Sequence, residues 1–80
     1  MWKVDVLPAA REELRLIDRE HARKIIRFLC DLEQAENPHS EGQGISFLWR
    51  YVIMDTYQVI AAVCQEKRQI IITAVRPLPF

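Results

Sequence analysis

The sequence predicts a single α+β domain over residues 1–80, in the order β-α-α-β-β-β, with a helical hairpin packed on an antiparallel sheet formed largely by the last three strands. Three observations predict it. The chain opens with the apolar–polar alternation of a half-buried strand. Residues 19–36 carry apolar side chains at helical spacing. Residues 45–75 are rich in β-branched and aromatic residues and are cut by two polar turns.

Each element follows in turn. Trp2, Val4 and Val6 alternate with Lys3 and Asp5, which makes the first strand. Pro8 fits the first turn of a helix, where its missing N–H costs nothing. Leu14 and Ile17 supply that short helix with a buried side, and Glu12 and Glu13 lie toward its positive end. Asp18 closes the segment and is placed to cap the next helix. Ala22, Ile25, Ile26, Leu29 and Leu32 then form one amphipathic stripe, so two closely joined helices pack as a hairpin on a sheet. Asn37-Pro38 ends the second helix, and residues 39–44 read as a polar loop. Residues 45–53 are expected to form one strand, 57–64 a central strand, and 70–75 the last, with turns at 54–56 and 65–69. Pro77 and Pro79 are expected to stop further pairing.

Composition excludes several classes. Half of the 80 residues are hydrophobic and 28% are charged, an ordinary globular balance that does not describe a disordered chain. Eleven Lys and Arg offset eleven Asp and Glu, so a nucleic-acid role must rest on a local patch rather than on net charge. No apolar stretch reaches the length of a bilayer span, and the start lacks the apolar core of a signal peptide. Cys30 and Cys64 lack C-x-x-C spacing and read as two buried, reduced thiols of a cytoplasmic protein.

Most chemical signatures are missing. Gly42-Gln43-Gly44 is not a phosphate loop, since no strand precedes it and no helix follows. His21 and His39 have no partner at metal-ligand spacing and read as a solvated helix residue and a loop residue, so neither a metal nor a cofactor is expected. Arg19, Arg23 and Arg27 stand four residues apart, with Lys24 beside them. This is either a solvated face paired through Glu20–Lys24 and Arg27–Asp31, or a surface for phosphates or a partner's acidic groups. In 47–53, alternation sets Phe47, Trp49, Tyr51 and Ile53 on one face and Leu48, Arg50 and Val52 on the other. Trp49 and Tyr51 are therefore expected to be much more buried than Arg50. Arg50 lies on an otherwise apolar face, as a snorkelling side chain or as an anion receptor.

Leu48-Trp49-Arg50-Tyr51, followed by Asp55-Thr56-Tyr57-Gln58-Val59-Ile60, resembles the hairpin L-W-R-Y-R…G-D-Y-R-[IV]-I of the RelE/ParE toxin superfamily. Val6, Pro8, Ala10, Leu14 and Asp18 are similar to that family's opening, Ile25, Ile26 and Leu29 to its second helix, and Asn37-Pro38 to the end of that helix. The resemblance implies a RelE/ParE-like fold and the toxin half of a type II toxin–antitoxin pair, bound and neutralised by a cognate antitoxin. It implies a metal-free endoribonuclease that cuts messenger RNA on the ribosome through attack of a 2′-OH on the adjacent phosphate. The alternatives are a non-enzymatic, ParE-like inhibitor of DNA gyrase, or a homologue that binds antitoxin alone; a homodimer is left open. Carried over by position, Arg50, Arg76 and Tyr57 are the catalytic candidates. Arg19, Arg23, Lys24, Arg27, Tyr51 and Gln58 are candidates for binding nucleic acid or a partner. The chain departs from the pattern at the second basic position of the hairpin, Val52, and where Gln58 replaces an Arg. Thr56 is inserted before Tyr57, and the C-terminal H-R-x-x-x-Y falls on Val75, Arg76 and Phe80. Such a site has fewer cations than the chemistry asks for.

Overall fold

The structure, a computed structural model, describes residues 1–45 and 47–78. Its elements are β1 (Lys3–Val6), α1 (Pro8–Arg15), α2 (Arg19–Gln34), a 3₁₀ turn (Pro38–Glu41), β2 (Gln43–Ile45), β3 (Leu48–Ile53), β4 (Tyr57–Cys64) and β5 (Gln69–Pro77). The strands make one five-stranded sheet in the order β1-β5-β4-β3-β2. The expected helical hairpin and C-terminal meander are present, but the sheet is mixed. β1 pairs parallel with β5, from Lys3 opposite Gln69 to Val6 opposite Ile72.

The helices cover one face of the sheet. Ile25, Leu29 and Leu32 from α2 and Ala10 from α1 pack with Tyr51, Ile53, Tyr57, Val59, Ala61, Ile70, Ile72 and Val75 in the core. Ile26, expected in that stripe, is 50% exposed. Trp2 is buried beside them, and its backbone N–H donates to Glu33 O at 2.9 Å, which ties the start of the chain to the end of α2. Pro8 opens α1 as expected, with Leu7 in the cap position. Asp18 occupies the cap position of α2 but makes no capping hydrogen bond through its side chain.

The strand expected over 45–53 is instead a hairpin. Ile45 pairs with Leu48, so the chain reverses there, and Phe47 sits in the turn at 88% exposure rather than beside Trp49 in the core. The segment expected as a polar loop, 39–44, is held to β3 by aromatic donors. Tyr51 Oη donates to Pro38 O and Trp49 Nε1 to His39 O, each at 3.1 Å. Gly42 passes so close to β3 that a Cβ there would meet Arg50 O, Trp49 Cδ1 and Tyr51 Cδ1, each at 2.7 Å. Periodicity could not see this packing, because the buried partners of these aromatic side chains are backbone carbonyls. Tyr51 is fully buried, whereas Trp49 and Arg50 are both half-buried, so the expected contrast with Arg50 holds at Tyr51 and not at Trp49.

Met54 and Asp55 have φ of 56° and 52°, and Thr56 N donates to Ile53 O, which closes the β3–β4 hairpin with a left-handed turn. Pairing persists through Pro77, which lies opposite Tyr57, and Leu78 N donates to Thr56 O at 2.8 Å. Pro77 is tolerated because β1 stops at Val6, opposite Ile72, leaving that end of β5 without a second neighbour. Both cysteines are free; Cys64 is half-buried, but Cys30 is exposed on α2 rather than in the core. Among the described residues no helix is long and apolar enough to cross a membrane.

Candidate functional site

A β-bulge decides which residues share the open face of the sheet. Ile60 lies opposite Ala74 but Ala61 opposite Ile72, so Thr73 is the extra residue, and its hydroxyl donates to Ile60 O at 3.1 Å. Without the bulge, Ala74 and Arg76 would continue the core face of Ile70 and Ile72. With it, Val75 enters the core and Arg76 joins the other side. Two rows then cross the open face: Arg50–Ile60–Ala74 and Val52–Gln58–Arg76.

Arg50 is the polar centre of this face. The side chain is half-buried, and its Nε is shielded from solvent without a hydrogen-bond partner among the described residues. A shielded donor without an acceptor carries a desolvation cost of about 1–3 kcal/mol. Val52, at 45% exposure, and half-buried Ile60 surround it with apolar surface. That surface lowers the local dielectric and strengthens any charge contact made there.

Arg76 is on the same face by register but is held at its margin. Arg76 Nε donates to Glu13 Oε2 at 2.8 Å, and Val75 N donates to Glu13 Oε1 at 3.1 Å. Glu13, on α1, thus satisfies the edge of β5 where β1 no longer pairs. Burial pushes the Glu13 carboxyl up, but the hydrogen bond from Arg76, the backbone N–H of Val75 and the Arg76 charge together hold it below its ordinary value.

The tyrosines do not join this group. Tyr57 and Tyr51 point to the helix side of the sheet, both in the core. The Tyr57 hydroxyl meets His21 Nδ1 at 2.9 Å, while Arg50 and Gln58 face the other way. The structure therefore brings together Arg50, Gln58 and Arg76 and separates Tyr57 and Tyr51 from them. The histidines are neither solvated nor idle: His21 packs edge-on against Tyr57 at 5.4 Å and His39 against Trp49 at 4.6 Å. Glu13 escaped sequence reasoning because its partners are 62 and 63 residues away. Phe80, the last position of the C-terminal pattern, lies outside the described residues.

Arg23, Lys24 and Arg27 line a shallow depression on α2 together with Glu20, and Arg19 is exposed one turn earlier. The expected Glu20–Lys24 and Arg27–Asp31 pairs do not form. The ion pairs among the described residues are Glu12–Arg15 and Glu13–Arg76. No group of three or more His, Cys, Asp or Glu among the described residues is arranged to hold a metal ion.

No protein-family model matches the chain, and no curated protein matches it. Solved structures do. A chain of the RelBE2 toxin–antitoxin complex of Mycobacterium tuberculosis superposes with a TM-score of 0.84 at 17% identity, covering 96% of this chain and 98% of that one. The isolated RelE toxin of E. coli gives 0.80 at 13% identity, covering 100% and 87%. A chain of the RelE–RelB complex of the archaeon Pyrococcus horikoshii gives 0.74 at 21% identity, covering 95% and 93%. With two helices on one face of a five-stranded mixed sheet, superposed along nearly its whole length, the chain has the fold of the RelE toxins.

Proposed function

We propose that this chain is the toxin half of a type II toxin–antitoxin pair, a RelE-like protein that engages RNA phosphate on its open sheet face. A cognate antitoxin peptide laid across the same face would neutralise it. The observation that carries the reading is Arg50: a cation on an apolar strand face, its Nε shielded and without an acceptor among the described residues. A phosphate oxygen would pair with the Nη groups of this guanidinium, which are not shielded. An antitoxin carboxylate, with apolar neighbours set against Val52 and Ile60, would compete for the same donors. The cations Arg19, Arg23, Lys24 and Arg27, which make no ion pair among the described residues, offer a second surface for ribosomal phosphates or acidic antitoxin residues.

On this reading, cleavage is slow. Attack of a 2′-OH on the adjacent phosphate needs a group to take a proton, a group to give one, and cations for the charge that builds on phosphorus. Between Arg50 and Arg76 the face offers two guanidinium groups and the neutral amide of Gln58, while the tyrosine hydroxyls lie behind the sheet. Expression of the protein alone in bacteria, with growth and ribosome-bound messenger cleavage followed together, tests this. Growth arrest with weak cleavage, relieved by antitoxin, is expected. Rapid cleavage by the natural sequence would overturn the slow-enzyme reading, and normal growth with no RNA association would overturn the toxin reading.

A further inference from the structure

Glu13 makes two contacts at once, one to the backbone and one to a side chain of β5. One oxygen accepts from the backbone N–H of Val75 at 3.1 Å, and the other from Nε of the next residue, Arg76, at 2.8 Å. The Val75 contact fixes the acceptor, because it replaces the strand partner that β5 lacks beyond Ile72. The Arg76 contact consumes the single Nε–H donor, and the Nη groups make no hydrogen bond among the described residues. Glu13 is 28% exposed and Arg76 64%, so the carboxylate sits inward and the guanidinium outward.

We propose that Glu13 is a positioning residue, which holds Arg76 by Nε and presents its Nη donors to a phosphate at the margin of the Arg50 face. The inference rests on the RNA-phosphate reading above and adds to it a residue from α1. A long, exposed Arg loses several rotors when it grips an anion, and an Arg already held at Nε loses fewer. Positioning and plain electrostatics predict opposite signs. Glu13 carries a negative charge beside the face, so on Coulomb grounds its removal strengthens binding of any polyanion. If Glu13 positions Arg76, its removal weakens binding instead.

The test is fluorescence anisotropy with a short, 5′-labelled, mixed-sequence single-stranded RNA at low salt. Wild type is compared with Glu13→Gln, Arg76→Ala, Arg76→Lys, Arg50→Ala and the double variant Glu13→Gln/Arg76→Ala. Glu13→Gln keeps an oxygen for Val75 N–H, and its thermal midpoint is read alongside. We expect Glu13→Gln to weaken binding about three- to tenfold, the scale of one long side chain losing its pre-ordering. The double variant should be no weaker than Arg76→Ala alone. Arg76→Lys keeps the charge but has no Nε–H to be held while other donors grip phosphate, so it should lose about as much as Glu13→Gln. Unchanged or tighter binding by Glu13→Gln, or full affinity in Arg76→Lys, would overturn the positioning role. Weakening by Arg50→Ala and Arg76→Ala in that case would leave the reading of the face standing. No binding by wild type, or no effect of either arginine, would overturn that reading and this inference with it.

Discussion

The Tyr57 hydroxyl and His21 Nδ1 are 2.9 Å apart on the helix side of the sheet, with their rings edge-on at 5.4 Å. The pair bolts the start of β4 to the first turn of α2. The hydroxyl therefore has a structural partner and no path to a substrate on the Arg50 face. Tyr57→Phe is expected to cost about 1 kcal/mol, the net value of a hydrogen bond whose partner, His21, is left half-buried. RNA binding should be unchanged. Urea denaturation measures the first and anisotropy the second; a large loss of RNA binding at unchanged stability would return Tyr57 to the chemistry.

Gly42 is required by close approach. An added methyl group would meet the backbone oxygen of Arg50 at 2.7 Å, and that oxygen belongs to a paired strand that cannot yield cheaply. Gly42→Ala should destabilise the protein by about 1–3 kcal/mol, the usual cost of overpacking. Because the clash is with β3, RNA affinity should fall in the same variant. A denaturation midpoint equal to wild type would show that the 3₁₀ turn and β3 can part without loss.

Acid should weaken the grip of α1 on β5. The folded Glu13 carboxyl is depressed below its ordinary value of 4.5, so the contribution of its ionised form is complete above the unfolded value and lost as pH falls through the folded one. Wild type should therefore exceed Glu13→Gln in stability near neutrality, and the gap should close on acidification through the carboxylate range. Urea midpoints of the two proteins across that range measure it. A gap that stayed constant into strong acid would mean the contact does not depend on the Glu13 charge.

What could be read in the sequence was whatever repeats locally. The stripe from Ile25 to Leu32 and the hairpin around Met54 and Asp55 each show within a few residues, and both formed. What could not be read depends on partners far along the chain or on a break of phase. Residues 45–53 look like one strand because every residue suits a strand, and the reversal after Ile45 is set by pairing with Leu48. Arg76 looks like a continuation of the Ile70–Ile72 face until the bulge at Thr73 turns it over. The site was half legible for the same reason. Arg50 follows from alternation within β3, but its neighbours on the face follow from cross-strand register, and Glu13 from the docking of α1.

The decisive prediction concerns the row Val52–Gln58–Arg76. These residues stand directly opposite one another on three adjacent strands, beside Arg50 on the same face. Cross-strand neighbours have Cβ atoms about 5 Å apart, so side chains there can converge on one phosphate. The natural row contributes one cation at its margin. Val52→Arg with Gln58→Arg would place two more next to Arg50, at positions that are exposed and half-buried, so folding should tolerate both. The Thr56 insertion does not misalign them, because the register of β3 with β4 is continuous from Ile53–Tyr57 to Trp49–Ala61. Removing one preorganised donor from an active site costs on the order of a hundredfold in rate, and adding two should recover part of that scale. The double variant should therefore cleave ribosome-bound messenger measurably faster than the natural chain, and Arg50→Ala should abolish the gain. If the added arginines tighten RNA binding but leave cleavage where it was, charge is not what the face lacks. The shortage would then be in proton transfer, and the natural chain would act by holding RNA rather than by cutting it.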